Sequence, residues 1–253
     1  IERVAARLPL AGLSKWVLRG MDATVALSRE IEAEVLAFGM PVDRVHVIGN
    51  GIDTEKFRPR GQRERERLRE ELGIAASGLV VSVGRLSPEK NPEGLVRAWA
   101  RAFPRMPEGW RLAIVGDGPL QAQVGSLVSE LDLTASVLLA GHRSNVGAWM
   151  GAADLLAVSS HCEGLSNTML EAMASGLAVV STNVSGTSEL LLETGAGIVV
   201  AVGQEGQLAA ALARMAASPV LRQEMGALAR QVVEEGYSIG SVATRHEQLY
   251  RRL

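Results

Sequence analysis

The sequence predicts an α/β fold, a Rossmann-like parallel sheet with helices on both faces. Two observations carry this. From Leu79 onward, short apolar runs of strand length alternate with stretches of helical periodicity. Several of those runs end in polar, glycine-bearing turns, as in Val83-Gly84-Arg85, Val115-Gly116-Asp117 and Ala140-Gly141-His142. In an open parallel sheet such turns gather at the carboxyl ends of the strands, where ligands bind.

The elements follow in order. Residues 1 to about 20 form an expected helix with Val4, Leu8, Leu13, Val17 and Leu18 on its apolar side, interrupted near Pro9 and Gly12. Asp22–Ser28 is an expected strand, Arg29–Phe38 a helix ended by Gly39 and Pro41, and Val45–Ile48 a strand. Asn50-Gly51 marks a tight turn, and Ile52–Pro59 an irregular link. Arg60–Leu72 is dense in arginine and glutamate with opposite charges four apart, the pattern of a solvated helix.

Strands are then expected at Leu79–Val83, Arg111–Val115, Val137–Ala140 and Asp154–Ser159, with helices at Glu93–Phe103, Leu120–Leu131 and Val146–Ala152 between them. A short helix at Asn167–Ala174, with Gly176 as its breaker, leads to an apolar run ending at Ser181. One more apolar segment spans Thr194–Val202, before helices at Gln207–Ala217, Pro219–Glu235 and from Ser238 onward.

Composition narrows the function. The chain has 253 residues, 47% hydrophobic and 21% charged, enough for one large or two small globular domains. A net charge of −2 points away from nucleic acid as a partner. The single cysteine, Cys162, excludes an internal disulfide framework and fits a reducing cytoplasm; a packed or tolerated residue is the expectation for it. No run of about 18 apolar residues suggests a membrane-spanning helix. The first residues, Ile-Glu-Arg-Val, carry mixed charge unlike a signal peptide and look like a chain entered in its middle. Lys15, Arg19 and the earlier arginines lie beside apolar positions; a solvated basic side is the commoner reading, and peripheral contact with a membrane face is the alternative.

The stretch from Ser159 to Ser181 gathers the chemistry. Glu163 and Glu171 are eight residues apart and bracket a helix start. Between them the backbone N–H groups of Gly164, Leu165, Ser166 and Asn167 are helix-start donors, which with the positive end of the helix dipole suit a phosphate. Carboxylates repel phosphate and accept from hydroxyls, so a phosphate flanked by two polyols, a nucleotide sugar, matches the set. Either glutamate alone is more commonly a cap or a solvated surface residue. After the first strand of the series come Arg85 and Lys90, beside Gly84 and Pro88. A planar guanidinium fork and a mobile ammonium together can neutralise a diphosphate leaving group. Gly116-Asp-Gly-Pro lacks the third glycine of a dinucleotide fingerprint, and a turn with Asp117 capping the next helix is expected there. No Asp or His cluster at metal-ligand spacing is visible, so no metal is expected.

The run Glu163-Gly-Leu-Ser-Asn-Thr-Met-Leu-Glu171 resembles the Glu-x7-Glu motif of the retaining glycosyltransferases of family four, which have the GT-B fold. Gly84-Arg-Leu-Ser-Pro-Glu-Lys-Asn91, Val115-Gly-Asp-Gly-Pro119 and Gly141-His142 extend the likeness over most of the chain. The resemblance implies that residues 1–50 are the tail of an acceptor domain, with more of it upstream. Residues 51–237 would be a nucleotide-sugar donor domain and 238–253 a helix returning toward the acceptor domain.

It further implies transfer of a sugar, with retention, to a hydroxyl of a glycan, lipid or small molecule, in the cytoplasm or at the inner face of the membrane, without a cofactor. Arg85, Lys90 and Glu163 would be catalytic, the first two on the leaving diphosphate and the third on sugar hydroxyls. Gly84, Gly164, Leu165, Ser166 and Asn167 would line the donor, Glu171 hold the ribose, Arg143 meet the base, and Glu189 stand at the pocket wall. His142 would line the edge. Ser185-Gly186 and Ala178 depart from the family's usual glycine pair and proline. An inactive nucleotide-sugar-binding fragment or regulatory domain lacking the acceptor half is the alternative function, and a sugar-nucleotide epimerase a weaker one.

Overall fold

The structure, a computed structural model, describes Val17 and residues 20–253. The helix expected over residues 1 to about 20 lies outside those residues, Val17 and Gly20 aside. The described chain begins with β1 (Thr24–Ala26), α1 (Arg29–Ala37) and β2 (Val45–Val47), a small parallel pair with its helix. Ser28 caps α1 by accepting from Ile31 N, so the helix begins where a polar side chain meets its first turn.

A six-stranded parallel sheet then follows in the order β5-β4-β3-β6-β7-β8, formed by β3 (Gly78–Val83), β4 (Trp110–Val115), β5 (Val137–Gly141), β6 (Leu155–Val158), β7 (Ala178–Thr182) and β8 (Gly197–Val200). The chain starts at mid-sheet with β3, steps outward to β5, and crosses back so that β6 lies beside β3. Val80 aligns with Leu112 on one side and Leu155 on the other. That reversal is a topological switch point, which opens a crevice between the carboxyl ends of β3 and β6.

Helices α2 (Gln62–Glu71), α3 (Pro92–Ala102), α4 (Gln121–Glu130), α5 (Val146–Ala152), α6 (Asn167–Ala174), α7 (Glu205–Ala217) and α8 (Pro219–Gly236) cover the sheet. Alternation along each strand feeds two cores. Leu79, Val81, Leu156 and Val179 pack against α6 and α8 on one face. Val80, Leu112, Leu155 and Val180 pack against Leu95 and Trp99 of α3 and Leu212 of α7 on the other. A further helix, α9 (Ile239–Tyr250), is capped by Ser238 and lies on Ile48 through Val242 and Leu249. Its start is tied to the link after β2 by the backbone bonds Ile52 N to Tyr237 O and Ile239 N to Ile52 O.

The structure adds detail at three places. The charged helix α2 is not simply solvated: Arg69 is buried, donating from Nε to Ala152 O and pairing through Nη2 with Asp154. Asp154 also accepts from Arg65 and from Leu79 N, so it ties α2 to the starts of β3 and β6. The loop around Ser185–Glu189 instead runs into a π-helical turn at Ser188–Leu192. Of the two expectations for Cys162, packed or tolerated, its place in the exposed loop after β6 fits the second.

Candidate functional site

The loops after β3 and β6 meet at the switch point. The β3 loop leaves through Gly84, turns at Pro88–Lys90, and enters α3 at Asn91, whose φ of 49° is left-handed. Asn91 pays for that conformation by capping α3, its Oδ1 accepting from Gly94 N at 3.1 Å. The β6 loop grips this turn: Ser159 Oγ donates to the carbonyls of Lys90 and Asn91, and Asn91 Nδ2 donates to Ser159 O. His161 N adds a bond to Glu89 O at 2.8 Å.

Held this way, the two loops place Lys90 against Glu163. Lys90 Nζ donates to both carboxylate oxygens at 2.6 Å, and Ser160 Oγ donates to Oε1 at 2.6 Å. The Glu163 side chain is only 10% exposed and Lys90 32%. Lys90 and Glu163, separately predicted as ligands of phosphate and sugar, are thus partners. Ser160 was missed; its signal was its position three residues before Glu163 in a polar turn.

Around the pair, Arg85, Ser166 and Thr168 help to line a cavity of about 30 Å³, the scale of a water molecule. Ser166 caps α6, accepting from Met169 N, which satisfies one of the first-turn donors. Leu165 is buried, with its Cδ atoms packed close to Gly49 and Gly186, so it anchors the loop whose backbone was predicted to face the donor. Gly164 is exposed and has open space where a side chain would be. Asn167 accepts at Oδ1 from Asn50 Nδ2 at 2.7 Å. Asn50, read from sequence only as part of a tight turn, therefore reaches the first residue of α6.

Glu171 follows Asn167 by four residues and shares its side of α6. Its carboxylate has no hydrogen-bond partner among the described residues. Burial pushes its pKa above the usual carboxylate value, with the charge of Lys56 opposing. Glu163 and Glu171 thus differ: one is neutralised by an ammonium, the other half-buried and unpaired.

On the far side of Arg85 a cleft of about 830 Å³ is lined by Gly84, Gly116, Asp117, Gln121, His142 and Arg143. Arg85 borders both this cleft and the small cavity, and its guanidinium makes no hydrogen bond or salt bridge among the described residues. His142 lines the edge, as expected. Asp117 does not cap the next helix: α4 begins without a side-chain cap, and Asp117 instead accepts through its carbonyl from Leu86 N at 2.7 Å. Gly116 and Gly118 have φ of 142° and 154°, and a Cβ on either would run into the backbone of Gly84 or Leu86. The close approach is between the two loops themselves.

Glu189, expected at the pocket wall, is engaged by α1. Its Oε1 accepts from Arg29 N at the start of α1, while Glu30 of α1 accepts from Gly186 N and Ser28 Oγ meets Ser185 Oγ at 2.9 Å. The loop after β7 is thereby fastened to α1. A cleft of about 710 Å³ lies beside it, bordered by Glu30, His161, Glu163, Gly164 and Ser185. Among the described residues no group of three or more His, Cys, Asp or Glu is placed to hold a metal ion, and no helix is long and apolar enough to cross a membrane.

Residues 64–232 match the family described as glycosyl transferases group 1, and residues 3–56 match glycosyltransferase family 4. The chain belongs to the group 1 glycosyl transferases. It is 25% identical over 242 residues to N-acetyl-alpha-D-glucosaminyl L-malate synthase of Bacillus anthracis, covering 95% of this chain and 62% of that protein. To the D-inositol 3-phosphate glycosyltransferase of Xylanimonas cellulosilytica it is 33% identical over 172 residues, 63% of this chain and 40% of the relative. The chain thus spans less than two thirds of the length of these relatives. Among solved structures, Anabaena Alr3699/HepE in complex with UDP matches with a TM-score of 0.88 at 21% identity, over 98% of this chain and 69% of that one. Sucrose-phosphate synthase from Thermosynechococcus elongatus matches at 0.84 and 24% identity, over 98% and 63%. These likenesses place the fold with the GT-B glycosyltransferases.

Proposed function

We propose that this chain binds a nucleoside diphosphate sugar at the switch point. It would act as the donor half of a glycosyltransferase that passes the sugar to a hydroxyl of a glycan, lipid or small molecule, with retention at the anomeric carbon. The observation that carries the reading is the Lys90–Glu163 pair, an ammonium and a carboxylate held together between two loops at the carboxyl edge of the sheet. A diphosphate competes for Lys90, and each Lys90 bond it takes frees a Glu163 oxygen for sugar hydroxyls. Arg85, with no hydrogen bond or salt bridge among the described residues, meets the same diphosphate from the cleft side.

Leaving-group charge is then met by Arg85, Lys90 and the first turn of α6, each good donor contributing about 2–4 kcal/mol in the transition state. We assign that neutralisation to these cations and assign no metal to it. Glu171 accepts from the ribose hydroxyls, its two unpaired oxygens matching a diol. The base lies in the 830 Å³ cleft beside His142 and Arg143. A neighbour crystallised with UDP supports a nucleoside diphosphate donor, and the Glu163–Glu171 spacing supports retention through its likeness to the retaining family. Residues 1–50 and the helix from 238 to 253 belong, in this reading, to the acceptor side, and 51–237 to the donor side.

Calorimetric titration with UDP, GDP, ADP and their sugar conjugates tests the proposal. Saturable binding of one base, lost in Glu171→Ala, supports it; no binding by a chain shown to be folded overturns it.

A further inference from the structure

At the opposite edge of the sheet, below the amino ends of β6 and β7, lies a cleft of about 740 Å³ between α2 and α8. Arg60, Arg65, Arg222 and Arg230 line it, with Asp154 as the acidic residue among its lining. That carboxylate is already committed: Oδ1 accepts from Arg65, and Oδ2 from Arg69 and from Leu79 N. Arg60 pairs with Glu64 and Arg230 with Glu234.

Arg222 differs from the other three. Among the described residues it has no carboxylate partner. Its Nη1 donates to the carbonyls of Met215 and Ala216 near the end of α7, and its guanidinium lies 5.0 Å over the ring of Trp110. Those contacts fix the group in place and leave Nε and Nη2 without a partner among the described residues. Burial holds its pKa below the usual arginine value; Asp154 opposes that shift and the neighbouring Arg65 adds to it. A fixed, half-buried cation beside a second cation, with the nearby carboxylate spent, lacks an anion. The exposed amides of Gln62 and Gln223 border the same space and offer donors and acceptors for hydroxyls.

We propose that this cleft binds a phosphate-bearing small molecule, at a site separate from the one between β3 and β6. A phosphate suits the set better than a carboxylate because its double charge answers more than one guanidinium, and the guanidinium fork matches two of its oxygens. The volume leaves room for the remainder of a phosphorylated metabolite beyond the phosphate itself.

The test titrates the full chain calorimetrically with inorganic phosphate and with glycerol 3-phosphate, and sediments it with vesicles containing phosphatidic acid. Gln223→Glu sets a carboxylate at the rim on an exposed position, so it spares the fold and weakens binding on the order of tenfold. Arg222→Gln, checked for folding by circular dichroism, abolishes it. Arg85→Ala, at the other edge of the sheet, leaves it unchanged, which separates this site from the proposed donor site. Binding of glycerol 3-phosphate without retention on vesicles assigns a soluble ligand, and the reverse a lipid headgroup; either supports the site if Gln223→Glu weakens it. No saturable binding in any arm, or binding that Gln223→Glu leaves untouched, overturns the proposal.

Discussion

Lys90 Nζ lies 2.6 Å from both carboxylate oxygens of Glu163 and joins two loops 73 residues apart in sequence. The contact ties α3 to α6 across the switch point and stores a cation where the proposed diphosphate would sit. Since the lysine is one-third exposed and the glutamate is not, the pair's worth is set by how much water each charge has lost.

Lys90→Met leaves Glu163 with Ser160 as its remaining side-chain partner. A loss of about 1–3 kcal/mol of stability is expected, below the range for a fully buried pair because water reaches the lysine. Adding Glu163→Gln removes the stranded charge and restores most of the loss. Urea denaturation of both single variants and the double measures the coupling. A coupling near zero would mean that the pair is solvated and does not hold the loops together.

Glu171 should reveal itself through pH. Its folded-state pKa lies above the ordinary carboxylate value because burial disfavours the charged form. For a raised acid the sign is the reverse of the usual carboxylate case: its unfavourable contribution is absent below the unfolded pKa, grows between the unfolded and the folded pKa, and is fully present above the folded one. Glu171→Gln therefore raises the thermal midpoint at pH 7 and leaves it unchanged near pH 3. Nucleotide affinity runs the other way, weakening as pH falls through the raised pKa, because a protonated carboxyl accepts less well from ribose hydroxyls. Calorimetric titrations of the unaltered chain and of Glu171→Gln across the acidic range check this, and the same pH dependence in both would remove Glu171 from the ribose.

Much of this arrangement was legible in the sequence because its signals are local. The end of α6 at Ala174 follows from Gly176, at φ 71°, as breaker. The strands of the sheet follow from their continuous apolar runs, which only a sheet covered on both faces can bury. What escaped was set by distant partners. Nothing near Arg69 distinguishes it from the other arginines of α2; its burial depends on Asp154, 85 residues away. Glu189 binds Arg29 N, 160 residues away, so its neighbours could not show that it serves α1. The π-helical turn at Ser188–Leu192 has a wider helix than the 3.6-residue pattern and left no periodic trace.

Arg85 offers the cleanest separation of binding from folding. It is exposed and its side chain makes no hydrogen bond or salt bridge among the described residues, with only the exposed Glu89 feeling its charge, so Arg85→Ala should alter stability by less than about 0.5 kcal/mol. If it meets the diphosphate, the same change removes a charge-assisted bond worth about 1.5–3 kcal/mol, a loss of affinity on the order of tenfold to a hundredfold. Thermal denaturation and calorimetric titration of one variant give both numbers. Unchanged affinity would take Arg85 out of the phosphate site, and a lowered thermal midpoint would show a structural contact.

Gly116→Ala tests whether the two glycine loops are one unit. At φ 142° an alanine is strained, and its Cβ would overlap the carbonyl of Gly84. The overlap cannot be relieved by a side-chain rotation, because the obstacle is backbone. That backbone is itself pinned, with Gly84 N bonded to Val115 O and Gly116 N to Gly141 O. The β3 loop must therefore shift, and with it Arg85 and the turn that carries Lys90. Strain of this kind costs about 1–3 kcal/mol, and a larger fall in donor affinity than in Arg85→Ala alone is expected, since both cations move together. Gly141→Ala is the control for a positive φ: its 70° lies in the left-handed region, where alanine is less strained than at 142°, and open space surrounds the added carbon. If both variants lose the same stability and affinity, backbone strain explains everything and the interlock between the loops contributes nothing. If Gly116→Ala loses donor affinity and Gly141→Ala does not, the contact between Gly116 and Gly84 sets the position of the proposed phosphate ligands.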